Sequence, residues 1–354
     1  MGSASSMGST PTSRRDLLRV GVGVVGAHLL AGCSTASPED DGRTSRERPR
    51  GARSPRVDPT PEPRRPLFAG QPPAGQIYFG ASVPYYRDVE RWEEQLGSTL
   101  ALHRSYFRAH QVDQLVLQCQ TDLQLNRLPH VSIKPQESWS TVASGGADQW
   151  LEPMLARLAA LSGPILLTVS HEPEDDARGR GMTPRDFVRM QRRLIRLATG
   201  APNITVVPVL QQWTFDPLGT GFEPGAWLTD EAAVFGVDVY NPWSPDNGRE
   251  WRTFGSRLDE VVPWTDGRPI AIGEYGCRID PAHPGRAEAW LRDAVAHART
   301  LPVVSMSYFN SRLNSRHGTW ELSGNLERTF GDLLKSDWVA RPEAVTAAAP
   351  HPRS

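Results

Sequence analysis

Short apolar runs rich in β-branched residues alternate with amphipathic stretches along most of this chain. Such runs are typical of buried strands, and eight of them occur in the sequence, at residues 77–81, 102–106, 130–134, 165–169, 204–210, 237–240, 270–272 and 303–308. Between them, apolar residues recur at helical spacing, most clearly in residues 150–158, 187–197, 290–295 and 326–334. Thr183-Pro184 predicts the start of the second of these helices.

Eight strand–helix repeats over about 270 residues predict a (β/α)8 TIM barrel, an α/β fold of one domain that spans residues 75–340. A doubly wound open sheet is the alternative. Its dinucleotide-binding form carries a glycine fingerprint after the first strand, and residues 80–84, Gly-Ala-Ser-Val-Pro, do not contain one. We therefore expect a barrel whose chemistry lies at the carboxyl ends of its strands.

The chain begins with the pattern of a targeting segment. Arg14 and Arg15 precede an apolar run at residues 20–31, which is too short to cross a bilayer. The arginine pair resembles a twin-arginine signal, which the twin-arginine export machinery reads. The run ends in Leu-Ala-Gly-Cys, closing at Cys33, and this motif resembles a bacterial lipobox. An ordinary secretory signal with a chance cysteine is the alternative.

The lipobox resemblance implies a signal peptide at residues 1–33, acylation of Cys33 and a membrane anchor through that lipid. Residues 34–74 are rich in proline and arginine and poor in bulky apolar residues, which predicts a disordered linker. The Ala- and Pro-rich residues 341–354 predict a disordered tail. We expect an exported protein on the outer side of the cell membrane, as a lipoprotein or in secreted form.

Charge and cysteine content exclude several classes of protein. The 39 basic and 40 acidic residues leave a net charge of −1, whereas a dedicated nucleic-acid binder needs a basic surplus to meet phosphates. Three cysteines are too few for a disulfide-stapled scaffold or a cysteine-rich zinc cluster. The sequence shows no metal or redox motif, so we expect neither a metal ion nor another cofactor.

Two glutamates follow strands that lie on opposite sides of the predicted barrel mouth. Glu172 follows the fourth strand, and Glu274 follows the seventh. Glycosidic cleavage needs two such facing carboxyl groups, one to protonate the leaving oxygen and one to attack or to activate water. The pair is the strongest chemical signal in the sequence.

The segments around these glutamates resemble the retaining glycoside hydrolases of the 4/7 barrel superfamily, and above all glycoside hydrolase family 26, the β-mannanase family. The resemblance implies that Glu172, directly after His171, is the acid/base and that Glu274, before Tyr275-Gly276, is the nucleophile. Tyr240 matches a tyrosine that touches the nucleophile in that family. A polysaccharide or oligosaccharide substrate follows from the same resemblance.

Aromatic and acidic residues near the strand ends complete the predicted site. Sugar rings stack on aromatic side chains, and the predicted binding or orienting residues are His171, Trp213, Tyr240, Trp243, Tyr275 and Tyr308, with Trp139 and Trp320 also in loops after strands. Hydrophobic filling is the alternative for each tryptophan. Where family members commonly have Asn and Trp after the acid/base, this chain has Glu174-Asp175-Asp176, for which we expect a solvated loop.

Three functions remain open from the sequence. An exported retaining glycosidase uses both glutamates. A carbohydrate-binding lipoprotein on a barrel that has lost turnover accounts for the altered segment after Glu172. A metal-dependent hydrolase would use His171 and the neighbouring acids, but the sequence shows no second histidine cluster at the strand ends.

Overall fold

The computed structural model describes residues 67–84, 87–217, 223–313 and 318–341. The predicted signal peptide with Cys33, most of the predicted linker and the predicted tail after Arg341 lie outside the described residues and stay predictions. None of the helices in the described ranges is long and apolar enough to cross a membrane.

A parallel sheet of nine strands, counted over the described residues, forms the centre of the molecule. Its strands are β1 Tyr78–Ser82, β2 Leu102–Arg108, β3 Leu128–Lys134, β4 Ile165–Val169, β5 Ile204–Val206, β6 Val209–Gln211, β7 Phe235–Tyr240, β8 Ile270–Gly276 and β9 Val303–Phe309. Each pairs with its neighbour in chain order, except β5 with β6, and β1 also pairs with β9. The predicted (β/α)8 barrel is confirmed, because β5 and β6 are two halves of the fifth predicted strand.

Pro208 divides that fifth strand. Proline has no N–H group to donate, so it interrupts a ladder of backbone hydrogen bonds. Before the break, β5 pairs with β4 in the register Ile165↔Ile204, and after it β6 pairs with β7 in the register Val209↔Gly236. The interrupted strand therefore joins the two ends of the sheet and closes the barrel.

Helices follow the strands and surround the barrel. They are α1 Val89–Leu96, α2 Val112–Gln124, α3 Trp139–Ala143, α4 Asp148–Ala159, α5 Pro173–Arg180, α6 Pro184–Ala198, α7 Phe254–Leu258, α8 Arg286–Ala298 and α9 Gly324–Leu334. The four helices predicted from apolar spacing are confirmed as α4, α6, α8 and α9. As predicted, α6 begins at Thr183-Pro184, where Thr183 Oγ1 accepts a hydrogen bond from the Asp186 N–H at 3.2 Å.

Residues 67–74, which the sequence assigns to the linker, contact the amino-terminal end of the barrel. Phe68 is buried in the hydrophobic core. Thr205 Oγ1 on β5 donates a hydrogen bond to the Ala69 carbonyl at 3.0 Å. A single phenylalanine among prolines and glycines has no periodic pattern, so the sequence does not mark this contact. The packed chain therefore extends at least to Phe68.

Strand β8 shows how the barrel places its functional groups. Successive side chains of a strand point to opposite faces. Tyr275 packs outward against Trp290 of α8, with ring centroids 6.3 Å apart, and against Phe254 of α7. Its neighbour Glu274 points the other way and lines the mouth of the barrel.

Candidate active site

Three carboxyl groups meet at the carboxyl ends of β4, β7 and β8. They belong to Glu172, Asp238 and Glu274, and one oxygen of each lies within 4.8 Å of the other two. The structure thus brings together the two glutamates that the sequence singled out. Asp238 was missed. Its signal is present in the sequence, because it lies two residues before Tyr240 and therefore on the same face of β7.

A strained turn after β4 places Glu172. Ser170 has a φ of 61° and Glu172 a φ of 48°, in the left-handed region that residues other than glycine rarely adopt. The Ser170 N–H donates to the Ile133 carbonyl at 2.9 Å, and the Glu172 N–H donates to the Val209 carbonyl at 3.1 Å. The two neighbouring strands therefore hold the turn in place. Strain of this kind is typical of functional sites.

Trp139 supports the same turn from below. Its side chain is 1% exposed, and its Nε1–H donates to Ser170 Oγ at 2.9 Å. Trp139 was a predicted sugar contact because of its position after a strand, but its side chain packs inside the protein. A buried indole N–H needs a partner, and here the partner is the turn that carries the acid.

Glu274 is fixed by its neighbours on β7. The Tyr240 hydroxyl donates to Glu274 Oε2 at 2.5 Å. Asp238 is the register partner of Glu274, directly after an irregularity in the β7–β8 pairing. A β-carbon at Gly273 would lie 2.7 Å from Asp238 Oδ1, so this glycine leaves the room that the carboxyl group needs.

Burial and mutual repulsion change the protonation of the cluster. Burial raises the pKa of Glu172 well above its ordinary value, and the charges of Glu274 and Asp175 raise that pKa further. Burial likewise raises the pKa of Asp238, with Glu274 and then Glu172 as further causes. Among the described residues, neither oxygen of the Asp238 carboxyl has a hydrogen-bond partner. Both groups therefore keep a proton at pH values where a free carboxyl group has lost it.

A buried cation lies close to these acids. Arg104 on β2 is 1% exposed, and its positive charge lowers the pKa of Asp238, partly offsetting the effect of burial. Burial, followed by the charges of Lys134 and Arg104, lowers the pKa of His171 well below its ordinary value, so the ring is neutral. Over the described ranges, no hydrogen bond joins His171 to either glutamate. Its ring packs at 5.4 Å from Tyr106 instead of orienting a carboxylate.

Two cavities extend from Glu172. The larger has a volume of about 940 Å³, and its walls include Glu172, Trp213, Asp238, Tyr240 and Trp320. The smaller has a volume of about 370 Å³, and its walls include Tyr106, His171, Glu172, Glu274 and Phe309. Because Glu172 lines both, the two cavities together form an open cleft that passes over the carboxyl groups.

Several of the predicted aromatic contacts line this cleft. Trp213 lies in a short helical turn after β6, and the Arg178 guanidinium covers its ring at 4.3 Å. Trp320 lies 4.7 Å from Tyr240, measured between ring centroids. Together these rings form apolar walls beside Glu172.

The other predicted aromatic contacts do not reach the cleft. Tyr275 and Tyr308 are fully buried, with ring centroids 5.3 Å apart, between the barrel and its helices. Strand alternation turns Tyr275 outward, because it follows the inward-facing Glu274. Tyr308 is the register partner of Tyr275 on β9 and packs on the same side. Trp243 packs against Trp251 at 5.2 Å and is not among the described residues that line the cleft.

The acidic run after Glu172 forms helix α5 and not the predicted solvated loop. Glu174 is fully buried and accepts hydrogen bonds from the Gln211 N–H, at 3.0 Å, and from Thr214 Oγ1. Burial raises its pKa to about 7. Asp176 forms an ion pair with Lys134 at 3.0 Å. These contacts tie α5 to the ends of β3 and β6, which positions the turn before it.

The carboxyl cluster is also compact enough to hold a cation. An all-oxygen set such as Glu172, Asp238 and Glu274 suits Mg²⁺ or Ca²⁺. Metal ligands must be deprotonated, so a cation bound here would displace the protons that the raised pKa values of Glu172 and Asp238 retain. His171 is not part of the set, so the described residues give the predicted histidine-based metal hydrolase no geometric support.

Comparison with solved structures supports the (β/α)8 barrel fold. No protein-family model matches this sequence, and no curated protein matches it significantly. A modular endo-β-1,4-mannanase from Cellulomonas fimi is similar in structure, with a TM-score of 0.52, 15% identity, and 79% of this chain and 74% of that chain covered. GH26C from a Muricauda species is similar with a TM-score of 0.53, 13% identity, and 77% and 88% covered. At such identities the likeness shows the fold alone.

Proposed function

We propose that this protein is a retaining glycoside hydrolase that cleaves a β-linked polysaccharide by double displacement. The observation that supports this mechanism is the short distance between Glu172 and Glu274, since one carboxyl oxygen of each lies within 4.8 Å of the other. Retaining enzymes hold their two carboxyl groups about 5–5.5 Å apart, whereas inverting enzymes leave about 6.5–9.5 Å so that a water molecule fits between them. The spacing here suits direct attack by one carboxylate.

In the first step, Glu172 donates its proton to the glycosidic oxygen while Glu274 attacks the anomeric carbon. The bond between that carbon and the leaving oxygen breaks, and a glycosyl–Glu274 ester forms. The raised pKa of Glu172 keeps the required proton in place. Tyr240 holds Oε2 of Glu274, which leaves Oε1 to attack.

In the second step, Glu172 takes a proton from a water molecule, which attacks the anomeric carbon and releases Glu274. The charge of Glu274 is one cause of the raised pKa of Glu172. Formation of the ester removes that charge, so the pKa of Glu172 falls when the residue must act as a base. The product keeps the configuration of the substrate.

The cleft supports a polymeric substrate. Space of about 940 Å³ and about 370 Å³ extends from Glu172, so sugar units fit on both sides of the cleaved bond. Trp213, which is half-buried in the wall of the larger cavity, supplies aromatic surface for contact with a sugar ring, whereas Trp320 is buried against Tyr240 and Arg278 and stiffens that wall. The two similar solved structures carry names that place them in glycoside hydrolase family 26, and one is called an endo-β-1,4-mannanase.

The carboxyl cluster distinguishes this proposal from a carbohydrate-binding protein without turnover. Holding Glu172 and Asp238 buried beside Glu274 costs free energy of folding, because three acids compete for little positive charge. Recognition of a sugar does not require three neighbouring carboxyl groups, whereas double displacement requires an acid placed beside a nucleophile.

Export and lipid anchoring belong to the same proposal. Arg14-Arg15, the apolar run and Cys33 occur in the order of a twin-arginine lipoprotein signal. A polysaccharide substrate is found outside the cell, so an anchored extracellular enzyme would meet it there.

An activity screen tests the proposed function. The full chain is incubated with β-mannans, β-glucans, xylans and acidic β-glycans, and the anomeric configuration of the first product is read by proton NMR. We expect a product of retained configuration and loss of activity in Glu274→Gln. Glu94→Gln, an exposed residue on α1, is the matched control. Cleavage that persists in Glu274→Gln would contradict the proposal.

A further inference from the structure

Four arginines line the larger cavity, next to the acid/base. Arg178 lies on α5, Arg249 in the segment before α7, Arg257 on α7 and Arg278 directly after β8. They come from connections after β4, β7 and β8, so the barrel collects them at the carboxyl ends of its strands. We call these four residues the arginine cluster.

Arg257 is a buried cation without an ion-pair partner among the described residues. It is 7% exposed, and no hydrogen bond or ion pair joins its guanidinium to another of the described residues. Burial, followed by the charge of Arg252, lowers its pKa to about 10, and Arg249 acts in the same direction. The side chain therefore stays charged at neutral pH while it lines the cavity.

The acids near Arg257 are held by other groups. Glu260 accepts a hydrogen bond from Arg252 at 2.7 Å and another from Gln212 Nε2. The charges of Glu260 and then Asp216 raise the pKa of Arg257 and so offset part of the effect of burial. The positive charge of Arg257 is thus only partly balanced inside the protein.

Arg278 is rigidly oriented toward the same cavity. Its Nε–H donates to the Gly318 carbonyl at 3.1 Å, its Nη1–H donates to the Trp243 carbonyl at 3.2 Å, and it lies 3.7 Å from the Trp320 ring centroid. Burial lowers the pKa of Arg278, and the charge of Asp246, which also lines the cavity, offsets part of that effect. Asp246 accepts a hydrogen bond from Ser244 Oγ at 2.8 Å.

We propose that the arginine cluster binds a carboxylate or sulfate group on a sugar, so that the substrate of this site is an acidic β-glycan. Guanidinium groups pair with such anions through two parallel hydrogen bonds. A neutral glycan would leave the charge of Arg257 buried and uncompensated, which is costly. The inference rests on the proposed glycosidase function, and it names the substrate class of that site.

Paired substrates test this inference. The kcat and KM of the full chain are measured on neutral β-linked oligosaccharides and on chains of the same length that carry either uronic acid or sulfate ester groups. We expect preference for one of the acidic series, and the two series distinguish a carboxylate from a sulfate. Arg257→Gln should lower the acidic-to-neutral ratio of kcat/KM at least about tenfold, mainly through KM on the acidic substrate.

Two further variants keep the test decisive. Arg249→Gln alters an exposed member of the cluster and should also lower the acidic-to-neutral ratio of kcat/KM. It serves as the test if Arg257→Gln does not fold. Arg91→Gln removes one positive charge from an exposed site on α1, and it should leave the ratio unchanged.

The outcomes separate this inference from the proposed function. Cleavage without preference for either acidic series, together with an acidic-to-neutral ratio of kcat/KM that Arg257→Gln and Arg249→Gln leave unchanged, would overturn the acidic substrate. The glycosidase function would then stand. Calorimetric binding of an acidic oligosaccharide that is lost in Arg257→Gln, without cleavage of any glycan, would support the arginine cluster and overturn the glycosidase. If the protein cleaves no glycan and binds no acidic glycan, both the acidic substrate and the glycosidase function are overturned.

Discussion

Tyr240 on β7 donates its hydroxyl hydrogen to Oε2 of Glu274 on β8 at 2.5 Å. The two residues come from neighbouring strands whose register shifts just before Asp238. The bond orients the carboxylate of Glu274, which lines the cleft. It is the contact on which the proposed role of Glu274 as nucleophile most directly depends.

Tyr240→Phe removes this hydrogen bond and little else. A hydrogen bond to a charged group contributes about 1.5–3 kcal/mol, so kcat/KM should fall about 10- to 150-fold. Steady-state kinetics measures the loss. Tyr308→Phe is the matched control, because its hydroxyl donates to the Cys277 carbonyl at 3.2 Å within the core. That variant should lose about 1 kcal/mol of stability and keep its rate; similar rate losses in both variants would argue against a specific role for Tyr240.

Asp238→Asn should stabilise the folded protein at neutral pH. The folded-state pKa of Asp238 lies above its unfolded value of about 3.9. Between these two values the folded state binds more protons than the unfolded state, so the free energy of unfolding falls as the pH rises. Asparagine does not ionise. Between the unfolded and folded pKa values of Asp238, the variant therefore avoids a decrease of about 1.4 kcal/mol per pH unit in the free energy of unfolding.

Denaturant titrations at pH 3.5 and pH 7.5 measure the effect. The stability gain of Asp238→Asn should be near zero at the lower pH and clear at the higher one. Asp293→Asn, at an exposed position on α8, should show no such dependence. A gain of equal size at both pH values would mean that Asp238 is not held in its protonated form.

The sequence was enough to predict the barrel, because strand periodicity is local, and to predict that Glu172 and Glu274 lie close together, because a barrel gathers the carboxyl ends of its strands at one face. Asp238 lies two residues before Tyr240, and this spacing predicts that Asp238 faces the cleft only once the side of β7 that turns inward is known. The same uncertainty explains Tyr275 and Tyr308, which face the helices. Glu174 was expected in solvent, but its partners Gln211 and Thr214 lie 37 and 40 residues away.

Metal removal should leave the activity unchanged. The proposed mechanism moves protons and electron pairs through Glu172 and Glu274 alone. Dialysis against EDTA followed by an activity assay tests this, with readdition of Mg²⁺, Ca²⁺ or Zn²⁺ as the control. Activity that disappears with the chelator and returns with one ion would show that the three carboxyl groups hold a metal.

Cys33→Ser should release the protein from the membrane. A lipid on Cys33 is the only anchor that we propose. Fractionation of cells that express the wild type and the variant, followed by immunoblotting, measures the distribution. Cys119→Ser, at a buried thiol on α2, is the control and should stay with the membrane. A Cys33→Ser protein that remains fully membrane-bound would contradict the lipoprotein proposal.

The roles of the two glutamates are tested most directly by azide rescue on an aryl glycoside with a good leaving group. In Glu172→Ala the leaving group departs without protonation and the glycosyl–Glu274 ester accumulates, because no base activates water; general acid–base catalysis contributes about 10²–10⁴-fold. Azide needs no base and should restore turnover, giving a glycosyl azide of retained configuration. Glu274→Ala should form no ester, and with azide it should yield the inverted product. Equal losses in both variants, with no azide effect on either, would contradict the double-displacement mechanism.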